Sequence, residues 1–471
     1  MPACRVNAVT NLQRTERSRP TDAFGYHGTD NIEKPVGPEA NADMSMTNGS
    51  IIYASIVAFI AWTLSVYDFI LFGILLPIIA KDFGWSTEFS TFVATWVSVG
   101  TFVVALAVGP IVDYLGRRTA LVLTTSGAAL SSGLAALTFG PIYLIVVRSL
   151  SGFGYSEQAV NATYLSEIYG ARRRGFFYSL VQGGWPIGVL FASAVSAWLL
   201  PLIGWRGTFA VATFPIVVIA ILATRLPESP HYEALRQVRR LMQTGRTTEA
   251  NAFGKARGID ADKAQSLSYL QLFLSDERKH TIWLGLSFLL NWVAIEIFVV
   301  LATTSLVKAK GVSMHNALLF LVASNALSYV GYVVHGYVGD VIGRRETIMG
   351  GWILAGLAYA AMILLADGPM AVLISYMIGL FFIIGPYSAL FAYMGESYPT
   401  RSRGTGVAFI NAMGPIGAIL GAALLTWLQS TGMSLGNAAV LGGAVPCILS
   451  GLALLGARRI LPGQALQTIA T

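Results

Sequence analysis

Charged residues are scarce in this chain of 471 residues: Asp, Glu, Lys and Arg together make up 12%, about half the share in a soluble globular domain. Cysteine is scarcer still, and the two present, Cys4 and Cys447, are too few for a disulfide framework or a metal site. The sequence also lacks a Walker loop and a nucleophile triad. We therefore expect neither an ATP-driven pump nor an enzyme, and neither a cofactor nor a metal.

Apolar residues, in contrast, make up 55% of the chain and occur in long runs. Between residues 51 and 80 the only charged side chain is Asp68, whereas about 20 apolar residues already cross a bilayer core as a helix. The hydropathy pattern predicts an all-α membrane protein with twelve transmembrane helices. The predicted spans are 51–80, 90–112, 119–138, 141–169, 174–199, 208–227, 281–307, 316–338, 346–366, 369–396, 404–428 and 436–458.

Polar stretches divide the predicted spans into two sets of six. Residues 1–48 mix acids and bases with Pro, Gly and Asn and contain no apolar stretch, which is typical of a disordered tail. Met44 or Met46 is an alternative start of the native protein. The predicted organisation is a cytoplasmic tail (1–48), a six-helix bundle (49–227), a cytoplasmic linker with short amphipathic helices (228–280), a second six-helix bundle (281–460) and a second cytoplasmic tail (461–471).

Basic residues are distributed unevenly between the loops on the two sides of the membrane. One side carries arginines at 117–118, 172–174, 344–345, 401, 403 and 458–459, and the other carries Lys81, Arg206, Lys308 and Lys310. Under the positive-inside rule the arginine-rich side faces the cytoplasm, so both termini are expected there. The net charge of +7 therefore reflects membrane topology, and we expect no nucleic-acid partner.

Two sequence patterns occur twice in the chain. "GPIVDYLGRR" at 109–118 and "GYVGDVIGRR" at 336–345 share five of ten positions. "EIYGARRRG" at 167–175 and "ESYPTRSRG" at 396–404 share five of nine positions and are separated by nearly the same length of chain. Both pairs fall at equivalent places in the two sets of spans. The sequence thus predicts a duplicated six-helix unit, with the substrate bound between the two halves near the bilayer midplane.

The repeated residues have physical roles that suit a contact between helices. Gly109 and Gly336 allow neighbouring helices to approach closely, and Asp113 and Asp340 can meet an arginine or the positive end of another helix. The alternative is that the paired arginines only set topology. The candidate cytoplasmic gating residues are Gly109, Asp113, Gly116, Arg117, Arg118, Glu167, Arg174, Gly336, Asp340, Gly343, Arg344, Arg345, Glu396 and Arg403.

Four charged residues lie well inside predicted spans, away from the span ends: Asp68, Arg148, Glu157 and Glu296. A charge at a helix centre costs about 2.5–3.5 kcal/mol on insertion scales, so each of them calls for a reason. The three carboxyl groups are expected near mid-depth, where they are candidates for proton coupling; the alternative is a carboxylate permanently paired within the bundle. Arg148 is a candidate for binding a substrate carboxylate or for pairing with an acid on a neighbouring helix. Three acids against one base would also suit a cationic substrate.

Further polar and aromatic residues in the spans are candidates for substrate contact. Asn161 and Tyr164 share a helical face with Glu157 by their spacing. Most aromatic residues in such helices only pack against their neighbours, so this set contains residues of both kinds. The remaining candidates are Gln182, Trp185, Asn291, Trp292, Tyr387 and Tyr393.

The repeated decamers resemble the cytoplasmic motif of the major facilitator superfamily, and the resemblance covers residues 50–460. "VRSLSGFG" in span 4 and "LPESPHY" after span 6 are similar to two further segments of that superfamily. The resemblance implies that spans 1, 4, 7 and 10 line the transport cavity. It also implies a monomeric secondary transporter of the bacterial inner membrane that carries a small-molecule substrate without any cofactor.

"YDFILFG" in span 1 resembles the metabolite:proton symporters, which carry organic acids. The aromatic-acid:proton symporters have Asp-Gly-x-Asp there, and "SVYD" in this chain matches only the second acid, Asp68. The expected function is proton-coupled uptake of a small organic carboxylate. The alternatives are a sugar or organic-cation facilitator, a drug:proton antiporter, and a membrane sensor that does not transport.

Overall fold

The computed structural model describes residues 46–169, 174–265, 268–274 and 277–461. Helices form all the regular secondary structure within these ranges. Residues 1–45 and 462–471 of the two predicted tails, with Met44, lie outside the described residues, as do Arg172 and Arg173.

Six membrane-spanning segments form the first half of the chain. Spans 1, 2 and 3 are single helices, Asn48–Asp82, Thr87–Leu115 and Arg117–Ala135. Span 4 consists of two helices, Pro141–Ser149 and Ser151–Ile168. Span 5 begins with Arg174–Gln182 and continues into a long helix, Gly184–Ala223. That helix kinks at Gly204, which has φ of 66°, a value that glycine adopts without strain, and span 6 follows the kink.

The second half repeats this arrangement. Span 7 is Glu277–Ile295 followed by the π-helical turns Glu296–Val300 and Thr304–Ala309. Spans 8 and 9 are Met314–Ile342 and Arg344–Leu364. Span 10 consists of Pro369–Ile384 and Tyr387–Ser397, and span 11 is Arg403–Ser430. Span 12 consists of Leu435–Ala439, the π-helical turn Val440–Ala444, Val445–Ala453 and a last turn, Leu454–Gly456.

Length and composition alone identify nine stretches of the described residues as able to cross a membrane. One of them, Arg174–Ala223, contains both span 5 and span 6, because the two spans are continuous through the kink at Gly204. Spans 3 and 4 complete the set. The prediction of an all-α membrane protein with twelve spans in two equivalent halves is therefore confirmed.

The two halves meet along two seams, one between spans 2 and 11 and the other between spans 5 and 8. The side of the molecule at which both decamers lie is called the motif face below, and the other side the opposite face. Small residues bring the seams together: a Cβ on Gly109 would lie 2.7 Å from the Cα of Thr405, and one on Gly336 would lie 2.7 Å from the Cβ of Ser179. Only glycine allows this approach, so the repeated glycines determine how tightly the halves meet.

Between the halves, the chain forms short helices that pack against the motif face. They are Pro230–Gln243, Thr247–Ala256, the turn Lys263–Gln265 and Ser268–Leu274. Tyr232 donates a hydrogen bond to the carbonyl of Tyr114 at 2.7 Å, and Tyr269 donates one to the carbonyl of Leu106. Both acceptors belong to span 2, and Gln271 also accepts a hydrogen bond from Arg401 of the second half at 2.6 Å, so the linker helices contact both halves.

Candidate functional site

At the motif face, each half caps a helix of the other half. The carboxylate of Asp113 accepts hydrogen bonds from the backbone N–H groups of Gly404 and Thr405, each at 2.8 Å, at the start of span 11. The carboxylate of Asp340 accepts from Gly175 at 3.0 Å and Phe176 at 2.8 Å, at the start of span 5. A helix N-terminus carries unsatisfied N–H groups and partial positive charge. Asp113 of the first half therefore caps a helix of the second half, and Asp340 of the second half caps a helix of the first half.

Two buried ion clusters accompany these caps. Glu167 pairs with Arg117 at 2.7 Å and with Arg403 at 2.6 Å. In the equivalent cluster, Glu396 pairs with Arg344 and Arg174, each at 2.6 Å. Each glutamate thus binds one arginine of its own half and one of the other half. Separating the halves at this face would take one arginine from each glutamate, and leaving a buried charge without its partner is strongly unfavourable.

The other predicted gating residues also lie at the motif face. Gly116 and Gly343 have φ of 102° and 110° and form the breaks after spans 2 and 8. The backbone N–H of Arg118 donates to Glu228, and the side chain of Arg345 pairs with Glu346 at 3.1 Å. The structure therefore brings all the predicted gating residues to one face.

The segment after span 6 adds contacts that the sequence analysis did not single out. Glu228 accepts from the backbone N–H of Arg117 at 3.0 Å, and Ser229 donates to Glu167. Burial raises the pKa of Glu228 and lowers the pKa of His231 to about 4. The signal was present in "LPESPHY", in which an acid and a hydroxyl between two prolines follow directly on a span.

An ion pair lies within the membrane-spanning part of the first half. Arg148 Nη1 lies 2.9 Å from Asp68 Oδ1, and Nη2 donates to the backbone carbonyl of Asp68 at 3.2 Å. Ser132 of span 3 also donates to the Asp68 carboxylate. The rings of Phe72 and Phe209 flank the guanidinium at 5.1 and 5.5 Å. Of the two partners that the sequence left open for Arg148, the structure brings it to an acid on a neighbouring helix.

Glu157 and Glu296, the two other acids well inside the spans, have no cation beside them among the described residues. Glu157 accepts from Ser65 at 2.8 Å and Thr125 at 3.1 Å through one oxygen, and its other oxygen is buried without a partner. Glu296 is half-buried at the first π-helical turn of span 7, against Gly421. π-helical turns are frequent at functional sites, and this turn directs an acid from span 7 towards span 11.

In the second half, aromatic residues lie at the place that corresponds to the ion pair of the first half. Tyr376 donates to the backbone carbonyl of Phe298 at 3.1 Å, and the ring of Tyr359 stacks on that of Phe298 at 4.2 Å. At separations of 228 and 227 residues, between or equal to the 227 and 229 of the two repeated motifs, Tyr376 corresponds to Arg148 and Tyr359 to Ser132. Phe298 therefore occupies the place that Asp68 has in the first half.

A row of aromatic rings runs between the two halves. Phe69 of span 1 lies 6.0 Å from Tyr155 of span 4, and Tyr155 lies 6.1 Å from Trp292 of span 7. Trp292 is followed by Phe288 at 6.3 Å, and Phe288 lies 6.0 Å from Tyr387 of span 10. Phe69 is the residue next to Asp68, so the row begins beside the ion pair.

Several polar side-chain atoms of spans 1, 4, 7 and 11 are buried without a hydrogen-bond partner, and some of them belong to residues of this row. The donors among them include Trp62 Nε1, Asn291 Nδ2 and Trp292 Nε1, and the acceptors include Asn161 Oδ1 and Asn411 Oδ1. Asn291 uses its other atom, Oδ1, to accept from Tyr387 at 2.7 Å. Because unsatisfied buried polar groups are costly, these atoms are candidates for contact with a polar ligand.

The predicted contact residues divide between this region and other parts of the bundle. Trp185 lies 6.0 Å from Trp62, and Asn291, Trp292 and Tyr387 belong to the row. The hydroxyl of Tyr164 donates to the carbonyl of Pro227 at 2.8 Å, and that of Tyr393 donates to the carbonyl of Arg458.

Tyr164 and Tyr393 therefore lie towards the motif face. Gln182 contacts Tyr332 of span 8 across a seam. Tyr155 and Asn411 were not singled out from the sequence. A tyrosine and an asparagine inside apolar spans are the signal that could have found them.

Twelve membrane-spanning helices in two equivalent halves, with polar and aromatic groups buried between them, define a multi-pass membrane transporter. The chain belongs to the Major Facilitator Superfamily, whose profile matches residues 55–422. The resemblance deduced from the decamers is thereby confirmed, and the protein is a transporter and not an enzyme.

Named relatives and a solved structure agree with this assignment. The gallate transporter of Pseudomonas putida is 27% identical over 398 residues, which cover 83% of this chain and 88% of that protein. The cis,cis-muconate transport protein of Acinetobacter baylyi is 25% identical, over 83% of this chain and 90% of that protein. The fold is similar to that of the proton:xylose symporter XylE bound to 6-bromo-6-deoxy-D-glucose, with a TM-score of 0.70, 18% identity, and coverage of 90% of this chain and 99% of that chain.

Proposed function

We propose that the protein is a proton-coupled symporter that takes up a small organic acid, foremost an aromatic carboxylate, by alternating access. The observation that carries this proposal is the buried Asp68–Arg148 ion pair, which lies one residue from the aromatic row between the halves. The names of the relatives support the substrate class, since they transport gallate and cis,cis-muconate. The similar fold of XylE, a proton:xylose symporter, supports the coupling ion.

The proposed coupling uses the charge balance of the pair. In the ion pair, Nη1 and Nη2 of Arg148 donate to the carboxylate and carbonyl of Asp68, whereas Nε of Arg148 is buried without a partner. Protonation of Asp68 removes the negative charge and leaves a cation whose planar donors suit a carboxylate. A proton on Asp68 therefore favours binding of the anionic substrate, and the two ions move together. Glu157 and Glu296 are proposed as further proton-carrying groups.

The proposed binding site is the aromatic row with its unpaired polar atoms. The N–H groups of Trp62, Asn291 and Trp292 are donors for carboxylate oxygens, and Asn161 and Asn411 offer acceptors for hydroxyl groups. Aromatic rings prefer offset or edge-to-face contact with other rings. A substrate that combines a ring, a carboxylate and hydroxyl substituents would satisfy all these groups together.

The proposed orientation places the motif face in the cytoplasm of a bacterial cell, with the chain in the inner membrane. The arginines at that face support it by the positive-inside rule. In this conformation the reciprocal caps of Asp113 and Asp340 hold the motif face closed. Release of the substrate to the cytoplasm requires these caps to break as the halves rock.

The test is uptake by purified protein in liposomes, with benzoate and gallate as probes and an inward proton gradient. The wild type is expected to accumulate at least one probe. Asp68→Asn should reduce accumulation at least tenfold but retain exchange of labelled for unlabelled probe, because only the proton step is lost. The matched control is Asp82→Asn, an acid at the end of span 1 whose carboxylate is half exposed. Undiminished accumulation by Asp68→Asn contradicts the proposal.

A second candidate function is antiport of an organic cation against protons. The observation that favours it is the pair of acids Glu157 and Glu296, which have no cation beside them in the described residues. The same liposomes distinguish the two functions. A symporter accumulates its anion when the outside is acidic, whereas an antiporter accumulates its cation when the inside is acidic.

A further inference from the structure

Span 11 contains a backbone carbonyl that cannot be satisfied within its own helix. Pro415 lies inside the helix Arg403–Ser430, and proline has no N–H to donate to the carbonyl four residues earlier. That carbonyl belongs to Asn411. An unpaired buried carbonyl is unfavourable, so it requires a donor from outside the helix.

The donor comes from the other half of the molecule. The hydroxyl of Tyr155 in span 4 donates to the Asn411 carbonyl at 3.0 Å, and Asn411 Nδ2 donates back to the Tyr155 carbonyl at 3.3 Å. Both residues are fully buried in the membrane-spanning part. The two halves are thus joined at this depth by a reciprocal pair of hydrogen bonds, 256 residues apart in the chain.

The surrounding residues leave room for this hydroxyl. A Cβ on Gly414 would lie 2.1 Å from the Tyr155 hydroxyl oxygen and 2.9 Å from the Trp292 ring. The ring of Tyr155 lies between Phe69 and Trp292 in the aromatic row. Proline at 415 and glycine at 414 therefore act together, one by exposing a carbonyl and the other by giving the hydroxyl access to it.

We propose that Tyr155 is a positioning residue for transport, whose hydroxyl holds span 4 against span 11 while the motif face is closed. Rocking of the halves separates these spans, so the Tyr155–Asn411 bonds break and the Asn411 groups become open to the cavity. The bond thereby sets the ratio of the two conformations. This inference rests on the alternating access proposed above, but its test needs no substrate and no proton gradient.

The test measures how often the motif face opens, with a cysteine reporter at Ser166. This residue contacts Gly395 of the other half, with Ser166 Oγ 3.4 Å from the Gly395 carbonyl. Ser166→Cys is introduced into full-length protein in which Cys4 and Cys447 are replaced by serine or alanine, and maleimide labelling is followed in nanodiscs. Tyr155→Phe keeps the ring and removes the hydroxyl. Since one hydrogen bond is lost, labelling should accelerate about three- to tenfold.

A double-mutant cycle identifies the carbonyl as the point of action. Pro415→Ala restores an N–H that can pair with Asn411 within span 11, so Tyr155→Phe should change labelling less than about twofold in that background. The matched control is Tyr376→Phe, which removes a hydroxyl that donates to Phe298 inside one half and should leave labelling unchanged. If Pro415→Ala does not fold, the contrast between the two tyrosines decides.

Two results would overturn the inference: unchanged labelling in Tyr155→Phe, or the same acceleration with and without Pro415. Failure of the proposed function looks different. A protein that labels as expected here but accumulates no organic acid keeps the role of Tyr155 and loses the assigned substrate or coupling ion.

Discussion

The two halves are nearly interchangeable at the motif face and differ in the membrane-spanning part. At the motif face, Asp113 and Asp340 each cap a helix of the opposite half, with nearly equal distances. Deeper in the bundle, the first half has an ion pair between Asp68 and Arg148, whereas aromatic side chains occupy the equivalent place in the second. The two copies of the six-helix unit thus share the contacts that join them to each other, and they differ in the contacts within each copy.

One backbone contact survives this difference in chemistry. Arg148 donates to the carbonyl of Asp68, and Tyr376 donates to the carbonyl of Phe298. By sequence offset alone, the counterpart of Asp68 is Glu296, which follows it at the same separation as Tyr376 follows Arg148. In the structure, Phe298, which lies in the π-helical turn Glu296–Val300, provides the accepting carbonyl instead. The two halves thus share the packing of these spans, but only the first half has an ion pair there.

The largest effect is expected from removing the cation of the first half. Arg148→Met leaves Asp68 buried without its partner and should lower the free energy of unfolding by about 3–5 kcal/mol. The measurement is reversible unfolding in mixed micelles. The double variant with Asp68→Asn should recover most of this loss, because no charge is then left unpaired. Equal stability of Arg148→Met and the wild type would contradict the buried pair.

The glycines at the two seams offer a test of equivalence. A methyl group at Gly109 or Gly336 would approach the other half within 2.7 Å, and such overpacking costs about 1–3 kcal/mol. In either alanine variant, the equilibrium should shift towards the conformation with an open motif face by this free energy. Labelling at the Ser166→Cys reporter measures the shift. Gly350→Ala is the control, since nothing lies within 4 Å of its Cβ. Tolerance at one seam alone would show that the halves are not equivalent there.

We expect His231, at the start of the linker, to make the stability of the fold depend on pH. Burial, assisted by Arg403 and opposed by Glu167, lowers its pKa to about 4, below the unfolded value of about 6.5. The neutral imidazole thus stabilises the fold fully above pH 6.5, and this stability is lost as pH falls towards 4. At pH 5.5 the loss is about 1.4 kcal/mol relative to pH 7.5.

The measurement for His231 is the free energy of unfolding at pH 7.5 and 5.5. His231→Gln should remove its share of the decrease, because glutamine does not titrate. A decrease of the same size in His231→Gln would assign the pH dependence to other groups.

The smallest effects are expected in the aromatic counterpart of the ion pair. Tyr376→Phe removes one hydrogen bond to Phe298 and should cost about 1 kcal/mol. The hydroxyl of Tyr359 is buried without a partner, so Tyr359→Phe should change stability by less than about 0.5 kcal/mol or raise it. Unfolding in mixed micelles measures both. A larger loss of unfolding free energy for Tyr359→Phe than for Tyr376→Phe would contradict the assignment of the stabilising hydrogen bond to Tyr376.

Much of the motif face could be predicted from the sequence because the motifs are local and repeated. The aspartates were expected to meet an arginine or a helix end, and each of them caps a helix N-terminus. Tyr164 and Tyr393 show the limit of such patterns. Helical spacing gives a face and an approximate depth, but their hydroxyls reach carbonyls of Pro227 and Arg458 at helix ends.

By itself, the sequence determined the twelve spans, the duplication and the four charges inside the spans, since these follow from hydropathy, spacing and the cost of burying charge. Tertiary structure decided which groups satisfy one another. Asp68 and Arg148 are 80 residues apart, and Tyr155 meets Asn411 across the two halves. Such pairs depend on the rotation and register of separate helices, which kinks and π-helical turns alter, and no local pattern records them.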